Sequence, residues 1–187
     1  MQHECILGNH EEKHLNQRRR PESALHPDHA RTRSLIGAEH YEYFARLPKR
    51  IALPEHGAVV VHAGVMPGVA LADQDPYHLL HVQCVDPPSR KSYWPSKAPE
   101  THRFWASLWT GPEHVIFGHT VVDRAFVGEH ASGIDTGCAH GGRLTALVLP
   151  DWRLVSVPSR QPKRELPTRY EIMPPGPRHP GGIRVIS

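Results

Sequence analysis

Three short apolar runs in this chain each give way to a glycine beside a side chain that can bind metal. They are Ile6-Leu7-Gly8-Asn9-His10-Glu11, Val60-Val61-His62-Ala63-Gly64 and Ile116-Phe117-Gly118-His119-Thr120. Sheets of α/β domains gather their functional groups where strands end and loops begin. Three junctions of one kind therefore predict an α/β domain whose polar motifs sit just past its strand ends. A glycine at such a place lets backbone approach an ion or a phosphate closely, and imidazole and amide oxygen are suitable ligands for Mn²⁺, Fe or Zn²⁺. The run Ala58-Val59-Val60-Val61 is continuous and largely β-branched, as in a strand covered on both faces.

Around these junctions the pattern predicts further elements. Residues 34–47 read as a helix, with Ser34 as its cap, Ile36, Tyr43, Phe44 and Leu47 on one face, and Pro48 as its stop. Glu100 to Trp109 reads as a second helix. Strands are expected at Glu4 to Leu7, His114 to Phe117 and Arg124 to Val127. Two more are expected at Leu144 to Leu149 and Trp152 to Val157, around the Pro150-Asp151 turn. The stretch from Pro67 to Pro99 holds six prolines and little periodicity, so it is expected to be a surface excursion that shapes a pocket.

Composition divides the chain in two. Residues 1–157 have the apolar content of a folded domain. Residues 158–187 form a proline-rich basic tail expected to be poorly ordered, with seven prolines and six Lys or Arg against Glu165 and Glu171. That basic surplus exceeds the whole chain's net charge of +3, so the body has none, and nucleic acid is not an expected partner. No apolar run reaches the ~18 residues of a membrane helix, and the first residues lack the sections of a signal peptide. Three widely spaced cysteines (Cys5, Cys84, Cys138) fit free thiols in a reducing compartment, which points to a cytoplasmic protein.

Four blocks in order carry a resemblance: Gly8-Asn9-His10-Glu11, His62-Ala63-Gly64, Gly118-His119-Thr120, and Ile134-Asp135-Thr136-Gly137-Cys138 through Gly141-Gly142 and Leu144-Thr145-Ala146. Together they resemble the calcineurin-like metallophosphoesterases. Within that family they are similar to the phosphoprotein-phosphatase branch, which holds bacterial serine/threonine phosphatases and symmetrical dinucleoside-tetraphosphate hydrolases. The resemblance implies a metallophosphoesterase-type β-sandwich flanked by helices. It implies Asn9, His62 and His119 as ligands of one metal ion of a pair (Mn²⁺, with Fe or Zn²⁺ as alternatives) and His10 as the general acid. Arg103 falls roughly where relatives carry a phosphate-gripping arginine, although an exposed helical arginine is the plain alternative. The implied reaction is attack on phosphorus by a metal-bound hydroxide, with a phosphorylated protein or a nucleoside polyphosphate as substrate.

Two motifs of that family, Asp-x-His and Gly-Asp-x-x-Asp-Arg-Gly, occur nowhere in the chain. By the resemblance they would supply the other metal's ligands and the carboxylate that bridges the pair. The N-terminal βα units are thus expected to be missing, through a misplaced start or a gene fragment. A catalytically silent fragment or binding module is the competing expectation. A cysteine-phosphatase reading of Cys138 and Arg143 fails because four residues separate them where five are needed. Asp135 is left with two roles, bracing a ligand histidine or bracing its own loop, and His140 reads as an exposed loop residue.

Overall fold

The computed structural model describes residues 3–86, 88–94, 102–122 and 124–164. Its frame is a five-stranded sheet in the order β1-β2-β6-β8-β7, formed by β1 (Arg50–Leu53), β2 (Ala58–Val61), β6 (His114–Phe117), β8 (Ala131–Gly133) and β7 (Phe126–Val127). The three middle strands, β2, β6 and β8, run parallel, and the two edge strands pair antiparallel. Parallel strands are covered on both faces, and alternation along β2 and β6 shows how. Val59, Val61, Val115 and Phe117 enter one core, with Met66, Leu79, Val85 and Trp105 among its buried side chains. Ala58, Val60 and Ile116 face the other way, onto a smaller core capped by Trp152, Leu147 and Leu149.

That second layer is the antiparallel hairpin of β9 (Arg143–Val148) and β10 (Arg153–Pro158), whose register pairs Leu154 with Leu147. The first core is closed by helix α4 (Pro76–His81) and a three-stranded antiparallel sheet, β4-β3-β5, made of β3 (Cys84–Asp86), β4 (Lys91–Tyr93) and β5 (Arg103–Phe104). Helices α1 (Asn9–Asn16), α2 (Pro27–Leu35) and α3 (Ala38–Arg46) precede the sheet. The expected α/β class, with sheets layered face to face and helices at the flank, is what the chain adopts.

Several local expectations are corrected. The helix expected over 34–47 is two elements, because Ile36 and Gly37 are extended and Gly37 caps α3 in place of Ser34. The buried residue of α3 is accordingly Tyr41, while Tyr43 faces outward. The helix expected from Glu100 to Trp109 is strand β5 followed by one 3₁₀ turn, Trp105–Ser107; residues 100 and 101 lie outside the described residues. Pairing of Val85 with Arg103 and Cys84 with Phe104 carries Phe104 and Trp105 into the core, a gain that outweighs local helical pattern. Glu4 to Leu7 pairs with no strand among the described residues; Leu7 is buried and its N–H donates to the Pro48 carbonyl at 2.8 Å.

The Pro67–Pro99 excursion holds more order than its prolines suggest, since α4, β3 and β4 lie within it. The segment expected to be a tail starts as part of the body. Pro158 ends β10, Ser159 bonds Gly142 and Cys138, and the Arg164 N–H donates to the His140 carbonyl at 2.9 Å. Residues 165–187 lie outside the described residues.

Candidate functional site

Three parallel strands aimed the same way deliver their C-terminal ends to one edge of the sheet. His62 follows β2, Gly118 and His119 follow β6, and Ile134 and Asp135 follow β8. The loops are stitched together there: Gly118 N–H donates to the His62 carbonyl at 2.9 Å, and Val122 N–H to the Asp135 carbonyl at 3.0 Å. The result is a cleft of about 330 Å³ whose polar lining includes His62, His119, Asp135, Thr136 and Arg143.

Helix α1 brings the remaining group. Asn9 is its first residue, and His62 Nε2 lies 2.9 Å from Asn9 Oδ1. Gly8 makes this approach possible, because a Cβ there would stand 3.2 Å from the His62 ring and 2.4 Å from the Glu11 carboxylate. Gly64 serves the core, where a Cβ would fall 2.2 Å from the Trp105 indole. Gly118 has ordinary room for a methyl group, its nearest neighbour being 3.6 Å away, so close backbone approach is not its role.

The rings of His62 and His119 are 5.0 Å apart and tilted. His119 holds φ at +64°, a left-handed conformation that a non-glycine residue adopts at a cost of about 1–3 kcal/mol and that clusters at functional sites. Its Nε2 is buried and has no hydrogen-bond partner among the described residues. Burial pushes its pKa down to about 3, with the neighbouring His62 adding to the effect. Burial also lowers the pKa of His62, partly opposed by the carboxylates of Glu11 and Asp135. Both rings are therefore neutral at physiological pH, the state in which imidazole donates a lone pair to a metal.

The residues present fit one divalent ion. Adjacent donors around an octahedral ion with bonds of about 2.1 Å are spaced about 3 Å apart, which is the spacing of His62 Nε2 and Asn9 Oδ1. The buried nitrogen of His119, unpartnered among the described residues, is a third donor. All three donors are neutral. Among the described residues no group of three or more His, Cys, Asp or Glu is arranged to hold a metal ion, so a second ion has no ligand set here.

The other expected site residues stand apart from these three. His10 is exposed on α1 and its ring stacks on His29 at 5.3 Å, although its charge is felt at both His62 and His119. It lines a second cavity of about 310 Å³ with Lys13, His14, His26 and His29. Arg103 is exposed on β5, where it donates to the His102 carbonyl at 3.0 Å, and it does not line the cleft. Asp135 Oδ1 accepts from the Gly137 N–H at 3.0 Å, so loop bracing is the part of its two expected roles seen here. Arg143 is held by Ser156 through Nε at 2.8 Å.

Two features went unseen in the sequence. His81, on α4, lies 2.9 Å from Glu12 and so ties α4 to α1 beside the site. Trp94, just after β4, places its ring 5.7 Å from that of His119. Glu12 does follow the Gly8-to-Glu11 motif directly, but nothing in the sequence marks its partner 69 residues away. No helix among the described residues is long and apolar enough to cross a membrane.

No family model matches the chain. It is similar to an asymmetrical bis(5'-nucleosyl)-tetraphosphatase, PrpE, of Halalkalibacterium halodurans, at 47% identity over 60 residues covering 32% of this chain and 24% of that protein. The protein of the same name from Anoxybacillus flavithermus is 30% identical over 132 residues, covering 71% of this chain and 52% of its own length. These relatives are named for the asymmetrical reaction, where the sequence resemblance pointed to symmetrical hydrolases. The chain spans about half the length, or less, of the curated relatives it matches. A solved structure described as "a putative diadenosine tetraphosphatase" superposes with a TM-score of 0.68 at 30% identity, covering 83% of this chain and 68% of that one. With that likeness, and with the family's motifs at the ends of three parallel strands, the chain belongs to a metallophosphoesterase-like family.

Proposed function

We propose that this chain supplies the Asn9-His62-His119 side of a metal-dependent phosphoesterase site that hydrolyses nucleoside polyphosphates. The observation that carries the reading is the unpartnered, buried His119 Nε2 beside the His62–Asn9 pair at the cleft edge. The names of the relatives favour a nucleotide over a phosphoprotein as substrate.

In this reading Asn9, His62 and His119 hold one divalent ion, Mn²⁺ by preference, with Fe or Zn²⁺ also suited to the donors. A bound ion supplies charge neutralisation at the phosphate and an activated water. The chain's own contribution is positional. The β2 and β6 ends fix the two imidazoles, and α1 carries both Asn9 and His10 on one rigid element. His10, one residue beyond Asn9 and open to solvent, acts as the general acid that gives its proton to the leaving oxygen. Arg103, on the sheet that leads into Trp94, is the proposed phosphate contact. The three free thiols accord with a cytoplasmic setting.

The test is Mn²⁺-stimulated release of nucleotide from diadenosine tetraphosphate by the full chain and by His62→Ala. Turnover that needs His62 supports the reading, and turnover indifferent to it refutes it. One observation favours a second reading, a silent binding module: the donors are all neutral, and the described residues offer no carboxylate-containing metal cluster. A chain that binds Mn²⁺ or nucleotide yet releases no product would establish that alternative.

A further inference from the structure

Of the four tryptophans, three are in the core: Trp105 is 0% exposed, Trp109 5% and Trp152 8%. Trp94 is 50% exposed and stands next to the candidate ligand His119. Its position is not that of a loose surface residue. Tyr93, the residue before it, pairs in register with buried Cys84 and packs edge-on against His102 at 4.4 Å. Trp94 is thus held one residue beyond an anchored strand.

Leaving half of the largest apolar side chain in water forgoes the stabilisation that its burial would give. The indole meets His119 at a tilt of 50°, a contact in which the two rings do not stack. Tyr77 is the useful contrast. It is similarly exposed, at 52%, but its ring already stacks on His81 at 4.5 Å and 22°, so one face is taken.

We infer that Trp94 is the stacking platform for the nucleobase of the substrate, and so a specificity residue that distinguishes nucleotides from other phosphoesters. The inference rests on the nucleotide reading above and adds to it the group that recognises the base. A planar base offers its π-face to an indole whatever its identity, so the platform selects for a nucleotide but not strongly among bases. A base stacked on Trp94 would stand beside His119, whose ring is 5.7 Å away, within reach of the proposed site.

The experiment titrates the full chain, without added metal, with ATP and with inorganic tripolyphosphate, which carries the same phosphates and no base. Calorimetry gives the affinities, and the long-wavelength, solvent-exposed part of the tryptophan emission reports on Trp94, since the other three indoles are buried. The expected result is tighter binding of ATP, with quenching that tripolyphosphate does not cause. Trp94→Ala should weaken ATP binding about tenfold and erase the difference between the two ligands. Trp94→Phe should keep most of the preference. Emission of the three buried indoles shows whether each variant is folded.

Equal binding of ATP and tripolyphosphate, binding of neither, or an ATP preference that survives Trp94→Ala would each overturn the inference. Mn²⁺-stimulated phosphate release from both ligands separates this from the proposed reaction. Base-dependent binding without turnover removes the reaction and leaves the platform. Turnover with equal KM for the two ligands removes the platform and leaves the reaction.

Discussion

The protein contains two groups of histidines, and they are built differently. His62 and His119 sit at the ends of parallel strands, with the loops tied by the Gly118-to-His62 hydrogen bond; among the described residues His119 Nε2 has no partner, and the same is true of His29 Nδ1 in the other group. His10, His14, His26 and His29 sit on or beside two short helices and pack largely on one another. His14 and His29 rings lie 4.9 Å apart, His10 stacks on His29, and His26 Nδ1 accepts from the Asp28 N–H at the start of α2. Burial lowers the pKa of His14 and His29 as it does for His62. Neutral, buried imidazole is therefore not what separates a site from a packing cluster. The difference lies in what positions them: the ends of the parallel strands β2 and β6 carry the first pair, with Asn9 Oδ1 2.9 Å from His62 Nε2, whereas the second group sits on and beside two helices.

The comparison breaks most sharply on metal binding. His119→Ala is expected to abolish Mn²⁺ binding by the chain, since loss of even an outer partner of a ligand costs about 10–100-fold in affinity. His14→Ala should leave it unchanged, and calorimetric titration with Mn²⁺ reads both. A loss of binding in the His14 variant instead would move the metal centre to the helical cluster.

His10 links the two groups, and its substitution sharpens the contrast. If it is the general acid, His10→Ala lowers kcat by roughly 10²–10⁴-fold with little change in KM. Steady-state kinetics on diadenosine tetraphosphate decide this, and a change confined to KM would assign His10 to packing on His29.

Acid should act on both groups in the same direction. The unfolded chain takes up protons at each histidine near the ordinary value of 6.5, whereas His119 in the folded protein stays neutral down to about 3. The unfolded state thus binds more protons across that interval, and stability falls as pH drops from about 6.5 toward 3. Urea unfolding at successive pH values should show this decline, and His119→Gln should flatten it. His14 and His29 shift in the same direction through burial, so His29→Gln should flatten it as well. A decline unaffected by either variant would place the acid sensitivity elsewhere.

The smallest effects concern packing and capping. Gly64→Ala sets a Cβ 2.2 Å from the Trp105 indole and should cost about 1–3 kcal/mol, read by urea midpoint. His26→Ala removes a long side-chain cap on an exposed helix and should cost about 1 kcal/mol or less. A larger loss at His26 than at Gly64 would mean that the helical cluster matters more to folding than the sheet core does.

Much of the candidate site was legible because its residues adjoin strands whose apolar runs are visible locally. Val59, Val60 and Val61 announced a strand buried on both faces, and His62 followed it. What misled was the short range of the helical pattern. Residues 34–47 carry an apolar spacing that Gly37 interrupts, and Glu100 to Trp109 follows the demand of the core for Phe104 and Trp105. Asn9 was expected to follow a strand, but it opens α1 instead, and no side-chain cap marks that start.

The α/β class, the junctions after β2 and β6, and the residue types able to bind an ion were legible because each is written within a few consecutive residues. Only the tertiary structure decided which of those residues meet. Parallel pairing of β2, β6 and β8 carries His62, His119 and Asp135 to one edge, and α1 turns Asn9 toward His62 while His10 stacks on His29. Trp94 reaches His119 through a hairpin anchored on Cys84. Contacts between residues so far apart in the chain are set by strand order and burial, and those are properties of the whole fold.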